Sequence, residues 1–188
     1  MNVETNLTNH FLIAMPQLAD PNFFRTVTYI CGHNDEGAMG IVINRPLLDI
    51  DLGEIFNHLD IEAVDEEIGR QSVFIGGPLE PQHGFVLHAP DKNWKSTLFI
   101  SDKVALTTSS DILSDIAHAQ GPARSLVALG YAGWGAGQLE QELADNAWLN
   151  APADADIIFD LAVEQRWPAA AALLGIDLNN LSDDIGHA

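Results

Sequence analysis

The stretch from Ser125 to Gly133, SLVALGYAG, is a nearly unbroken apolar run that passes without a spacer into GYAGWGAGQLEQEL, Gly130 to Leu143. A strand that is apolar on both faces has to be covered on both, so this one is expected at the centre of a sheet. Glycines at 130, 133, 135 and 137 then surround Trp134. Two uses fit such a cluster. Missing Cβ atoms let Trp134 and a following helix, expected from about Gln138 to Trp148, seat closely on the sheet. Alternatively, a strand ending at Gly130 to Gly133 offers free amides to an anion ahead of that helix. The spacing G-x-x-G-x-G-x-G is not the dinucleotide fingerprint, and no Lys-Ser/Thr pair follows as in a P-loop. Glu140 and Glu142 already complement the helix N-terminus and would repel a phosphate. Packing is the favoured use.

The rest of the chain supplies partners for that strand. FLIAMP reads as a short buried strand halted by Pro16. RTVTYIC and AMGIVIN make an antiparallel hairpin over about Arg25 to Asn44, with Val27, Tyr29 and Cys31 on one face and a GHNDEG loop longer than two residues. In DLGEIFNHL, Leu52, Ile55, Phe56 and Leu59 form a helical stripe, and Asp51 with Glu54 resembles a capping box. DEEIGR reads as a solvated connection. Further strands are expected at SVFIGGP, GFVLH, STLFI and VALTT. SSDILSDIAHAQGP is a helix capped within 109–111 and stopped by Gly121-Pro122. DIIFD reads as one more short strand, and Trp167-Pro168 as the opening of a last helix that ends before Gly175. Seven or eight strands and four helices, irregularly interleaved, predict a mixed α+β domain.

Charge narrows the function. Against 27 acidic residues stand only 8 basic ones, a formal net charge of −19. Such a surface repels phosphate backbones and anionic membranes, so direct nucleic-acid or membrane binding is not expected. Cys31 is the single cysteine, which excludes an intrachain disulfide and a zinc site built on several thiolates. The N-terminal segment has no basic n-region, and its apolar run covers only Phe11 to Met15, so the cytoplasm is the expected address. A chain of 188 residues is expected to form one domain, with 1–9 and 177–188 loose.

Candidate binding residues fall in three segments. In INRP, Asn44 and Arg45 stand where a strand ends, and the guanidinium is suited to clamp a carboxylate or phosphate, or to neutralise neighbouring carboxylates. In IGGP, Gly76, Gly77 and Pro78 allow a backbone to approach a ligand or simply a sharp strand exit, and His83 lies in the loop beyond. The third segment contributes Gly133, Trp134, Gly135, Gly137 and Gln138. Cys31 and His33, two apart on a strand, share a face as a thiolate–imidazole pair would, but a lone cysteine among apolar strand residues fits a core position better. His33, His83 and His88 have no metal-ligand spacing, and no G-x-S-x-G elbow is present. No catalytic residue, metal or cofactor is assigned.

FLIAMP, GHNDEGAMGIVINRP, IGGP with GFVLH, and GYAGWGAGQLEQEL with the Trp148 that follows together resemble the YqgE/AlgH family of bacterial proteins, in order and over nearly the whole chain. Gly32 stands where the family pattern has an acidic residue, and His83 where it has an arginine. The resemblance implies a mixed, largely antiparallel sheet curled into a pseudo-barrel with about four helices packed outside. It brings no biochemical activity with it; one branch is labelled a regulator of alginate biosynthesis, including its transcription. A regulator this acidic has to act through a protein partner or a small ligand rather than by gripping DNA. The alternative is a small-anion binder or enzyme that uses the three segments above.

Overall fold

The computed structural model describes residues 6–178. The described residues pack as two compact units, one built from residues 6–44 with 132–178 and the other from 45–131. Among the described residues, no helix is long and apolar enough to cross a membrane.

The first unit holds β1 (His10–Ala14), β2 (Val27–Asn34) and β3 (Gly37–Val42), the end of β9 (Ser125–Gly135), and β10 (Trp148–Pro152), with helices α4 (Gln138–Ala144), α5 (Ala155–Phe159) and α6 (Val163–Ala172). Its strands run in the order β10-β1-β2-β3-β9, every pairing antiparallel. The β2–β3 loop is tighter than GHNDEG suggests. Asn34 pairs with Gly37, so Asp35 and Glu36 alone make the turn, and a bulge between Ile30 and Gly32 absorbs the offset. Asn34 Oδ1 accepts from the Glu36 amide and fixes the turn locally.

The second unit holds β4 (Pro46–Asp51), α1 (Leu52–His58), α2 (Glu66–Gly69), β5 (Ser72–Ile75), β6 (Leu79–His88), β7 (Thr97–Phe99), β8 (Ala105–Thr107), α3 (Asp111–Ala117) and the start of β9. There β9 pairs with β6 antiparallel and with β5 parallel, and β8 and β7 extend the β6 side. The core sits between the sheet and the helices: Leu52 and Phe56 of α1 and Ile112 and Ile116 of α3 pack on Val73, Val86 and Val127. Asp51 caps α1 by accepting from the Glu54 amide, as its sequence implies.

The α+β class with largely antiparallel pairing is as the sequence leads one to expect, and β9 is paired on both sides. Several boundaries differ, each for a local reason. β9 does not end at Gly130 to Gly133; it runs on to Gly135 because Gly133, Trp134 and Gly135 pair with Met39, Ala38 and Gly37. Helix α4 stops at Ala144, Asn146 takes a left-handed φ of 60°, and Trp148 opens β10 against Ala14. DIIFD is helical, because Asp154 caps it by accepting from the Asp156 amide. DEEIGR contains α2, capped in the same way by Asp65. Helix α6 begins at Val163 and carries Pro168 inside, at the cost of one intrahelical bond, while Gly175 takes the left-handed φ of 72° beyond its end. Of the termini expected to be loose, 1–5 and 179–188 lie outside the described residues, and Leu7 and Leu178 are buried.

Candidate functional site

Within the 45–131 unit, a cavity of 380 Å³ opens between α1, α3 and the sheet. Its construction follows from strand and helix periodicity. Gln82, Gly84 and Val86 alternate onto one face of β6, and Glu54, Ile55, His58 and Leu59 fall on one side of α1 at i, i+1, i+4 and i+5. The floor is aliphatic, with Ile55, Val86, Leu113, Val127 and Leu129. At Gly84 a Cβ would meet nothing within 4 Å, so this strand position leaves space a side chain would fill. On α1 the predicted apolar stripe is wider than the core needs. Leu52 and Phe56 are buried, whereas Leu59 remains 41% exposed beside the cavity.

The polar groups of the cleft divide into those committed to the fold and those that are not. Thr107 is committed. Its hydroxyl lies 2.7 Å from His88 Nε2 and 2.8 Å from Thr97 Oγ1, and His88 Nδ1 lies 2.8 Å from the Ala89 carbonyl. A carbonyl only accepts, so His88 carries its proton on Nδ1 and Nε2 accepts from Thr107. Burial pushes the His88 pKa down, which keeps the ring neutral. Ser109 is committed too: its hydroxyl accepts from the Ser96 amide and donates to Asp111. Burial opposes ionisation of the Asp111 carboxyl, but bonds from Ser109 and the amides of Lys95 and Ile112 outweigh it and lower the pKa. By contrast, the side chains of Glu54, His58, Gln82 and Ser110 make no hydrogen bond or ion pair among the described residues.

None of the sequence-derived candidates lines this cleft. Asn44, where the first segment of its unit ends, accepts from the Val27 amide and donates to the Arg25 carbonyl, which closes the β2–β3 end. Arg45 begins the other unit, and its carbonyl accepts from the Ile75 amide. Gly76 packs backbone to backbone, since a Cβ there would lie 2.3 Å from the Gly130 carbonyl oxygen. Gly77 is buried, Pro78 is exposed, and His83 is an exposed residue of β6 whose Nδ1 lies 3.3 Å from Glu80. Gly133 to Gly135 belong to the β9 ladder. The Gly135 amide donates to Gln138 Oε1 at 2.9 Å, and Gln138 Nε2 donates to Glu142. Gly137 caps α4 with a left-handed φ of 74°.

Trp134 is the centre of this segment. Its ring packs with Phe23 and Trp148, and its indole N–H and that of Trp148 both donate to Glu142 Oε1, at 3.3 and 3.1 Å. Cys31 is buried, which raises its thiol pKa and disfavours a thiolate. His33 Nδ1 accepts from the Leu7 amide, so its Nε2–H donates to Glu140, 2.5 Å away. Each of the three histidines weighed as ligands thus has its own partner, and no cluster of three or more potential metal ligands occurs among the described residues.

The signal that could have found the cleft is the Gln82-x-Gly84-x-Val86 alternation set against an amphipathic α1 flanked by Glu54 and His58. Sequence alone does not tell which α1 face meets which strand.

Fold and cleft together define a class: an α+β protein of largely antiparallel strands that carries an open, aliphatic-floored cleft. The chain belongs to the AlgH-like family, whose model matches residues 11–179. It is 58% identical over 188 residues to a UPF0301 protein of Thioalkalivibrio sulfidiphilus, covering 100% of both chains. To a UPF0301 protein of Nitrosococcus oceani it is 56% identical over 180 residues, 96% of each. The solution structure of the AlgH protein from Pseudomonas aeruginosa is similar with a TM-score of 0.80 and 49% identity, over 100% of this chain and 99% of that one. A crystal structure of a Corynebacterium diphtheriae protein, 19% identical, shares the fold with a TM-score of 0.69 over 90% of this chain and 87% of that one.

Proposed function

We propose that this protein is a non-enzymatic regulator of gene expression in the cytoplasm. It acts through a protein partner, with a small ligand in the 45–131 cleft setting its state, and it does not grip DNA itself. The observation that carries the reading is the cleft. Its 380 Å³ falls in the range of small-molecule sites, about 300–1,000 Å³, and the Glu54, His58, Gln82 and Ser110 side chains that line it are not consumed by the fold. The net charge of −19 supports the indirect route, because DNA affinity depends on cations that neutralise phosphates.

A thermal-shift screen of a metabolite library tests the first part. A ligand at about 100 times its Kd adds about 2.7 kcal/mol to the stability of a protein that binds it only when folded, an easily read rise in Tm. Capture from lysate with and without the hit tests the second, and the expected result is a partner whose retention depends on the ligand. A flat screen with no specific capture removes the reading. Duplex DNA binding at physiological salt removes its mechanism.

A further inference from the structure

We infer that the cleft between α1, α3 and the sheet takes a small amphiphile with an aliphatic body and a hydrogen-bond-donating head, a cationic amine in preference to a carboxylate or phosphate. This rests on the reading of the cleft as a ligand site and names what it selects. The floor of Ile55, Val86, Leu113, Val127 and Leu129 rewards apolar burial, and no Phe, Tyr or Trp lines the space to stack on a planar ring. No Lys or Arg lines it either. An anionic head at the exposed rim would therefore meet no fixed positive partner and would stand beside the Glu54 carboxylate, within a chain of net charge −19.

The acceptors suit the opposite head. Glu54 and His58 stand one helical turn apart on α1, and Gln82 reaches the same space from β6. None of the three side chains has a partner among the described residues, so a donor-bearing head finds acceptors that no fold contact has to release. A carboxylate that accepts from an ammonium gives a charge-assisted bond, the stronger kind. Gly84 supplies the control. Its Cβ would enter open space and its φ is not in the left-handed region, so a larger residue there occupies the cleft without backbone strain.

The test uses three probes with one body: n-octylamine, n-octanol and n-octanoate, titrated into the full chain and followed by amide and methyl chemical shifts. Octylamine is expected to shift Val86, Leu113 and Val127, and to bind severalfold more tightly than octanoate, about what one exposed charge pair contributes. Glu54→Gln should weaken octylamine severalfold and leave octanol unchanged. Gly84→Leu, with its fold verified by its spectrum, should abolish all three. Octanoate binding in the cleft as tightly as octylamine overturns the inferred head chemistry and leaves the ligand-site reading standing. Shifts that avoid the cleft residues in the wild-type chain, or octylamine binding unchanged in a folded Gly84→Leu protein, overturn both. The wild-type shift map decides the matter even where the leucine variant does not fold.

Discussion

Strand β9 serves two different interiors. From Ala132 to Gly135 it lies in a filled one, where Trp134 is 5% exposed, packed against Phe23 and Trp148 and anchored through Glu142. At Val127 and Leu129 it forms the floor of an open one, the 380 Å³ cleft. Glycine marks the difference. Gly37 is required because a Cβ there would lie 2.1 Å from the Trp134 carbonyl oxygen, whereas Gly84 faces empty space. The same residue type thus closes one region and leaves the other vacant, and composition alone does not separate the two. Glycine-rich strands are a sign of backbone approach only where something approaches.

The largest effect expected to sharpen this contrast comes from emptying the filled region. Trp134→Ala removes one ring of a three-ring cluster and leaves Glu142 with one indole donor fewer, so a loss of about 3–5 kcal/mol is expected in urea unfolding. A loss below about 1 kcal/mol would mean that this interior is not closely packed.

Next in size is Gly37→Ala. The new methyl meets backbone rather than a movable side-chain end, and the residue has a φ of +139° that favours glycine. A cost of about 2–3 kcal/mol is expected, read as a fall in the urea midpoint at unchanged m-value.

How much of this was legible follows from the range of the forces involved. Local signals transferred well: the Asp51 cap, the central β9 run and the end of α6 before Gly175 all depend on residues within a few positions of each other. Elements decided by distant partners did not. β4 carries Leu48 at 93% exposure and shows no clean alternation, so only its pairing with β5 makes it a strand. DIIFD has the β-branched content of a strand, yet a single capping aspartate makes it helical. Trp134 was legible as a packing residue. Its anchor was not: the sequence assigns Glu142 to the dipole of the following helix, and only the fold brings the Trp134 and Trp148 indole donors to it. The cleft stayed hidden for a similar reason. It is an absence of atoms beside Gly84, and a sequence records only the atoms that are there.

Acid should separate the two regions in sequence. His88 of β8's neighbour strand β6 is held neutral, with its pKa lowered from the ordinary 6.5 chiefly by burial. The unfolded chain therefore binds the extra proton first, and stability contributed through His88 declines as pH falls below 6.5. Glu140 has its pKa lowered from 4.5, chiefly by its own backbone amide; burial opposes this, and His33 adds to the lowering. Its contribution is present above 4.5 and is lost only as pH falls through the lowered value. Hydrogen-exchange protection, corrected for the pH dependence of the intrinsic rate, should thus fall more from pH 7.5 to pH 5.5 for amides of β6 and β8 than for those of α4. An equal loss of protection in both would remove the distinction.

The smallest effect discriminates best. Gly84→Ala adds one methyl where nothing lies within 4 Å, at a residue whose φ suits any side chain. The unfolded chain loses backbone freedom and the folded chain loses nothing, so stability should rise by up to about 1 kcal/mol. Set beside Gly37→Ala, the two substitutions are chemically identical and differ only in what the methyl meets, so their opposite signs measure filled against open directly. If Gly84→Ala instead costs as much as Gly37→Ala, the space beside β6 is occupied in solution, by repacked Leu59 or Leu113 side chains, and the contrast between the two ends of β9 disappears.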